Sequence, residues 1–245
     1  MIADLWQDLR FALRSLRLRP GFSAMVVLTL GLGIAANIAI FSLVNAALLR
    51  PLPVRAPEEL VLFAPGSLIG RRLAPTPPAR DGRAELFSYA VYERLRAQTE
   101  GLELAAQDSN LESAVLRGPG AASDDAGVSA AGRCVSASFF DVLGVPAYRG
   151  RTFRPQDDRA QGASPLLVLS HRLWERRFRG DPEIIGKVLD VNGFPYTVIG
   201  VAPPGFNGAN VGASADFWVP IGMANRFTRS GIDIELPQYS WLQLF

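Results

Sequence analysis

A single cysteine (Cys134), a single histidine (His171) and a single lysine (Lys187) stand in 245 residues. An internal disulfide is excluded, and a structural zinc site, which takes four Cys or His ligands, has no donor set. A Cys134–His171 nucleophilic pair would need convergence across 37 residues, with no supporting signature around either. Both read as structural: Cys134 in a buried strand, and Ser170-His171 as a helix cap and its neighbour. No GxxxxGK[ST] or GxGxxG occurs, so nothing is expected to cradle a nucleotide. Asp124-Asp125 and Asp157-Asp158 sit in polar stretches and read as solvated charge, because a glycosidase needs two carboxylates facing one cleft. The sequence therefore predicts no enzyme: no catalytic residue, no cofactor and no metal.

Net charge is nearly absent too. The chain carries 25 basic and 23 acidic groups, a balance of +2. Residues 1–20 hold that whole excess, with Arg10, Arg14, Arg17 and Arg19 against Asp4 and Asp8. The rest is neutral, which leaves no electrostatic footprint for nucleic acid despite a pI near 9.0.

One long feature is present. From Phe22 to Leu49 there are 28 residues without a charge. As a helix that run reaches roughly 42 Å, against a hydrocarbon core of about 30 Å. A secretory signal has an apolar core of only about 7–15 residues, so the run reads as an anchor: a transmembrane helix within 21–50. The four arginines before it put the N-terminus in the cytoplasm and residues 51–245 outside. Ahead of it, Leu5, Leu9, Ala12, Leu13 and Leu16 recur at helical spacing, which predicts an amphipathic helix over 1–20 lying against lipid on the cytoplasmic face. Pro20-Gly21 breaks it from the span.

Within the span, Gly31, Ala35 and Ala39 recur every four residues as a ridge that admits a close neighbour. Gly33 and Asn37 repeat that spacing, and Asn45 lies further on. An amide in hydrocarbon is costly unless another helix satisfies it. The anchor is expected to pack in a bundle, against further transmembrane helices or a second chain.

The outer part reads as α+β. "ELVLF" (59–63) is strand-like, 64–84 reads as an irregular loop, and "LFSYAVYERLRAQTEGL" (86–102) has helical periodicity. Strand-like runs follow at 103–106, 111–117 and 127–135, with a polar turn between the last two. "SASFFDVLG" (136–144) predicts a short helix capped by Ser136 or Ser138, "LLVLS" (166–170) a buried strand, and "HRLWERRF" a helix capped by Ser170. Asn192-Gly193 between two β-rich runs predicts a hairpin with a type I′ turn. "DFWVPI" (216–221) adds a strand, and "SWLQLF" begins another, whose edge is expected to stand exposed if its sheet lacks a partner.

These residues carry a resemblance. "DLWQDLRFALRSLRLRPGFSAMVVLTLGLGIAANIAIFSLVNAALLRPLP" resembles the start of macrolide-exporter-type (MacB-like, FtsX-like) ABC transporter permeases, and is most similar to the group called acidobacterial duplicated orphan permeases. "FSYAVYERLRAQTEGLELAA", "VSASFFDVLGVPAYRGRTF", "VLSHRLWERRFRGDPEIIGKVLDVNGFPYTVIGVAPPGF" and "DFWVPI" together are similar to that family's periplasmic core domain. The resemblance implies a bacterial inner-membrane protein and an extracytoplasmic mixed α+β domain over 51–245. It implies a cytoplasmic ABC ATPase as partner, a permease homodimer, and export by conformational relay. The family's three later membrane helices have no counterpart here, so the chain is expected to be an N-terminal fragment, a split permease or a truncated open reading frame. A single-span anchored module that binds a ligand or protein without transport is the alternative.

Overall fold

A computed structural model describes residues 18–44, 54, 60–61, 63, 71–72, 86–99, 101–119, 127–158, 162, 164–210, 213–228 and 239–245. Residues 1–17 of the amphipathic helix expected over 1–20, Asn45, most of the 64–84 loop and Asp124-Asp125 lie outside them. The chain divides into two compact units at Arg50/Pro51.

The first unit holds one described helix, α1 (Pro20–Val44). Its Pro20–Ser42 stretch, with mean hydropathy 2.2, is long and apolar enough to cross a membrane. Proline at the first position costs nothing there, since that N–H has no helical acceptor.

The second unit contains the helices α2 (Tyr89–Gln98), α3 (Phe139–Val142), α4 (His171–Phe178) and α5 (Ala224–Phe227). Its strands are β1 (Arg71–Arg72), β2 (Ala106–Asp108), β3 (Glu112–Arg117), β4 (Val128–Val135), β5 (Arg149–Gly150) and β6 (Leu166–Leu169). After these come β7 (Val188–Val191), β8 (Phe194–Val201), β9 (Phe217–Pro220), β10 (Tyr239–Ser240) and β11 (Leu242–Leu244). β1 and β10 form a short parallel pair of their own.

The main sheet closes on itself. β4 pairs β3, β3 pairs β7, β7 pairs β8, β8 pairs β6, β6 pairs β9, and β9 returns to pair β4. Six strands thus make a barrel with two parallel contacts, β6–β8 and β4–β9. Closure removes the edges that an open sheet of this length would expose.

Strand alternation sorts the side chains into two cores. Ala114 and Leu116, Ala130 and Cys134, Leu167 and Leu169, Leu189 and Val191, Tyr196 and Val198, and Phe217 and Val219 belong to one buried cluster, two from each barrel strand. These fill the barrel. Their sequence neighbours Val135, Val168, Ile199 and Trp218 point the other way, into a second cluster with Phe139, Phe140, Phe153 and Phe206. Phe140 meets the Trp218 ring edge-on at 5.5 Å, and Phe206 lies 5.3 Å from it. Gly132 has no side chain because the Phe217 and Phe227 rings occupy that space inside the barrel.

β2 prolongs the line of β3 along β4, and β11 lies antiparallel on β2. The free side of β11 is covered: Phe63 N–H donates to Leu244 O (3.0 Å), and Phe87 N–H to Leu242 O (2.8 Å). The expected exposed edge is therefore occupied by backbone from earlier in the chain. Three boundaries also differ from the sequence expectation. Residues 103–105 precede β2 rather than form a strand, and the 86–102 helix is confined to Tyr89–Gln98. Neither serine caps α3 with its side chain. Instead Ser136 Oγ accepts from Ala106 N–H (2.9 Å), and Ser138 Oγ donates to Leu104 O (2.7 Å), fastening the chain before β2 to the end of β4.

Candidate functional site

On α1 the residues expected to pack form two groups, not one. At about 100° per residue, Gly31, Ala35 and Ala39 lie about 180° from Gly33 and Asn37. Among the described residues, no atom beyond the neighbouring backbone of the helix itself comes within 4 Å of a Cβ placed on Gly31 or Gly33. The second group continues as an open apolar groove along Phe22, Met25, Val26, Thr29, Leu30, Gly33, Ile34 and Asn37. Thr29 is satisfied within the helix, its hydroxyl donating to Met25 O at 2.8 Å.

In the second unit, Cys134 lies fully buried inside the barrel, and burial pushes its thiol well above the ordinary range. His171 is elsewhere, at the start of α4, with its ring 5.0 Å from Tyr148 and 5.3 Å from Trp174. The Arg149 guanidinium covers the same aromatic group, 5.5 Å from the Trp174 ring. The two residues are not brought together. Ser170 Oγ accepts from Leu173 N–H (3.1 Å), the geometry of a helix cap. Among the described residues no group of three His, Cys, Asp or Glu side chains could hold a metal.

Asp157 and Asp158 are not solvated charge. Asp157 is 7 % exposed, its Oδ2 accepting from Arg151 Nη1 (2.5 Å) and Arg154 N–H (2.8 Å). The Asp158 side chain is 1 % exposed and sits 3.8 Å from Arg96 of α2. Burial raises its carboxyl above the ordinary value, against the pull of Ala137 N–H and Arg96. Asn192 and Gly193 join β7 to β8 with φ of 53° and 88°. Asn192 does more than turn the chain, because its Oδ1 accepts from Val115 N–H (2.9 Å) and its own N–H donates to Val115 O (3.0 Å). The hairpin tip thereby continues the β3–β7 ladder.

Three polar features escaped the sequence reading. Asp216, 6 % exposed, accepts from Ala131 N–H (3.0 Å) and from Arg172 Nη2 (2.9 Å), and its own carbonyl accepts from Ser170 N–H (2.8 Å). It ties β4, the start of β9 and α4 together. Gln107, fully buried, donates to both Asn210 Oδ1 (2.7 Å) and Gln243 Oε1 (2.9 Å), joining β2 to β11 and to the loop after β8. Asp108 and Arg133, 2 % and 3 % exposed, are buried side by side at the barrel's end. An acid just before an apolar strand, as in "ADFWVP", was the one visible hint.

The described residues thus comprise a membrane-length helix and a closed, hydrogen-bonded barrel whose polar residues fasten strands and helices to one another. The chain belongs to the MacB-like periplasmic core domain family, whose model matches residues 23–241. It is 34% identical over 86 residues to the "Probable export ATP-binding/permease protein MacB" of Pseudomonas entomophila, a match covering 35% of this chain and 13% of that protein. It is also 34% identical over 86 residues to the "Probable syringafactin export ATP-binding/permease protein SyfD" of Pseudomonas syringae pv. tomato, with the same coverage. The chain thus spans a small part of the relatives it matches. Among solved structures, the periplasmic region of MacB from Actinobacillus actinomycetemcomitans aligns at 17% identity over 64% of each chain, with a TM-score of 0.46.

Proposed function

We propose that this chain is the N-terminal part of an exporter-type ABC permease, anchored in the bacterial inner membrane by α1. The observation that carries the reading is the family match across 23–241, which takes the apolar helix and the barrel together. Its N-terminus lies in the cytoplasm, since Arg10, Arg14, Arg17 and Arg19 precede the span, and residues 51–245 lie outside. Nucleotide hydrolysis belongs to a cytoplasmic ABC ATPase rather than to these residues, which hold no phosphate-cradling loop. The outer domain takes up the resulting movement and passes it outward. A rigid barrel with two filled cores suits that role, because a packed body moves as a unit.

The two faces of α1 are where membrane partners sit. Gly31, Ala35 and Ala39 receive one helix closely, while Gly33 and Asn37 face another, which satisfies the amide. The neighbours are further transmembrane helices or a second permease chain in a homodimer. The test is affinity purification of the full chain from native membranes in mild detergent after in-cell crosslinking. A nucleotide-binding subunit with a Walker A peptide, crosslinked in wild type and lost on Asn37→Leu, is the expected result. Recovery of the chain with no ATPase would overturn the relay and leave an anchored binding module.

A further inference from the structure

A buried carboxylate stands where the last strand joins the barrel. Asp108 ends β2 opposite Leu242 of β11. Its Oδ1 accepts from Asn110 N–H (3.0 Å), while Oδ2 has no hydrogen-bond partner. Arg133 of β4 is near, but its Nη1 donates to the backbone carbonyl of Asp108 (2.8 Å) rather than to the carboxylate. Next along, Ser109 N–H donates to Trp241 O (2.9 Å), so this turn carries the hydrogen bonding that begins β11. The titratable and charged groups around the carboxylate are Arg133 and Cys134 on β4 and Glu112 at the start of β3.

A neutral carboxyl is tolerated in such a place with one oxygen unpaired; an ionised one is not, because burial penalises the charge and a guanidinium engaged elsewhere offsets it only in part. We propose that the β2–β11 seam is a pH-sensitive latch, closed while Asp108 is protonated and loosened when it ionises. Supporting this, burial pushes the Asp108 carboxyl up to about 7, with Asn110 N–H and Arg133 pulling it down and Glu112 pushing it further up. The covering contacts from Phe63 and Phe87 lie on the other side of β11 from β2. The latch stands on this geometry alone; that it faces the outer compartment rests on the proposed orientation.

The sign follows from proton binding. The closed seam holds the Asp108 proton more tightly than the open one, where the carboxyl is an ordinary acid, so the closed form is favoured at low pH. Its advantage falls as pH rises from about 4 to about 7 and then levels off. Between pH 6 and pH 8 local opening should rise by about tenfold.

Hydrogen–deuterium exchange of the full chain in detergent tests this, reading the peptide over 239–245 at intervals from about pH 5 to about pH 9, pH 6 and 8 included, after correction for intrinsic exchange rates. The expected result is about a tenfold faster corrected exchange at pH 8, absent in Asp108→Asn and retained in Cys134→Ser. Glu112→Gln should keep the step but move its midpoint to lower pH, because it removes the charge that raises Asp108. A flat wild-type profile, a step that survives Asp108→Asn, or a midpoint unmoved by Glu112→Gln would each overturn the latch. Should Asp108→Asn fail to fold, the wild-type profile and the Glu112→Gln midpoint decide.

Discussion

Removing the Asp216 side chain tests whether one acid holds three elements in place. Asp216→Ala deletes the acceptor of Ala131 N–H on β4 and the acceptor of Arg172 on α4. A backbone donor left without its charged acceptor costs roughly 1.5–2.5 kcal/mol in a partly buried setting. The Arg172 side chain is 48% exposed, so water replaces its lost partner and the ion pair adds only about 0.5 kcal/mol. The sum is about 2–3 kcal/mol. In a unit of this size that lowers Tm by roughly 5–10 °C. Asp216→Asn keeps an oxygen for Ala131 and should lose only about 1 kcal/mol, and Arg172→Ala about 0.5 kcal/mol. Thermal unfolding of the full chain in detergent, followed by tryptophan fluorescence, orders the three variants. Trp218 in β9 lies two residues from the substitution and reports the same strand. An Arg172→Ala loss equal to that of Asp216→Ala would refute the reasoning, because the hold would then be the ion pair and not the strand contact.

Other perturbations read other parts of the fold. Gly132→Ala places a methyl where the Phe217 and Phe227 rings already lie, and should cost about 1–3 kcal/mol by denaturant titration; an unchanged midpoint would mean that Gly132 does not face the barrel interior. The Cys134 thiol, raised by burial, should resist a maleimide at pH 8 in the native chain and react within minutes in denaturant; native labelling would contradict the filled barrel. Asn192→Ala removes the acceptor of Val115 N–H from a residue at φ 53°, and should cost about 1–2 kcal/mol. A loss no larger than that of an exposed control such as Glu183→Ala would refute the strand-like role of Asn192.

Local signals in the chain were readable wherever the cause was local. The 28 uncharged residues, the Asn-Gly turn and the Ser170 cap each depend on neighbours a few positions away. Barrel closure depends on β4 and β9 lying side by side, Gly132 against Phe217, 85 residues apart, and no periodicity encodes that pairing. What the sequence did contain was its consequence: Leu167, Val168 and Leu169 are all buried because both faces of the strand meet a core. Asp158 was misread for the same reason, since Ala137 and Arg96 reach it from 21 or more residues away. Asp157 was misread although Arg151, which folds back onto it, is only six residues away. The Gln107 and Asp216 side chains find their partners between 44 and 136 residues away, so their roles are visible only in three dimensions.

Sidedness is the claim on which the permease reading stands, and cysteine labelling of intact cells measures it directly. In a Cys134→Ser background, Ser129→Cys places a thiol on the exposed face of β4, and Ser15→Cys places one before the span. A membrane-impermeant maleimide should label position 129 in intact spheroplasts and position 15 only after the membrane is opened. Labelling of position 15 in intact spheroplasts, with position 129 protected, would put the barrel in the cytoplasm and contradict the account.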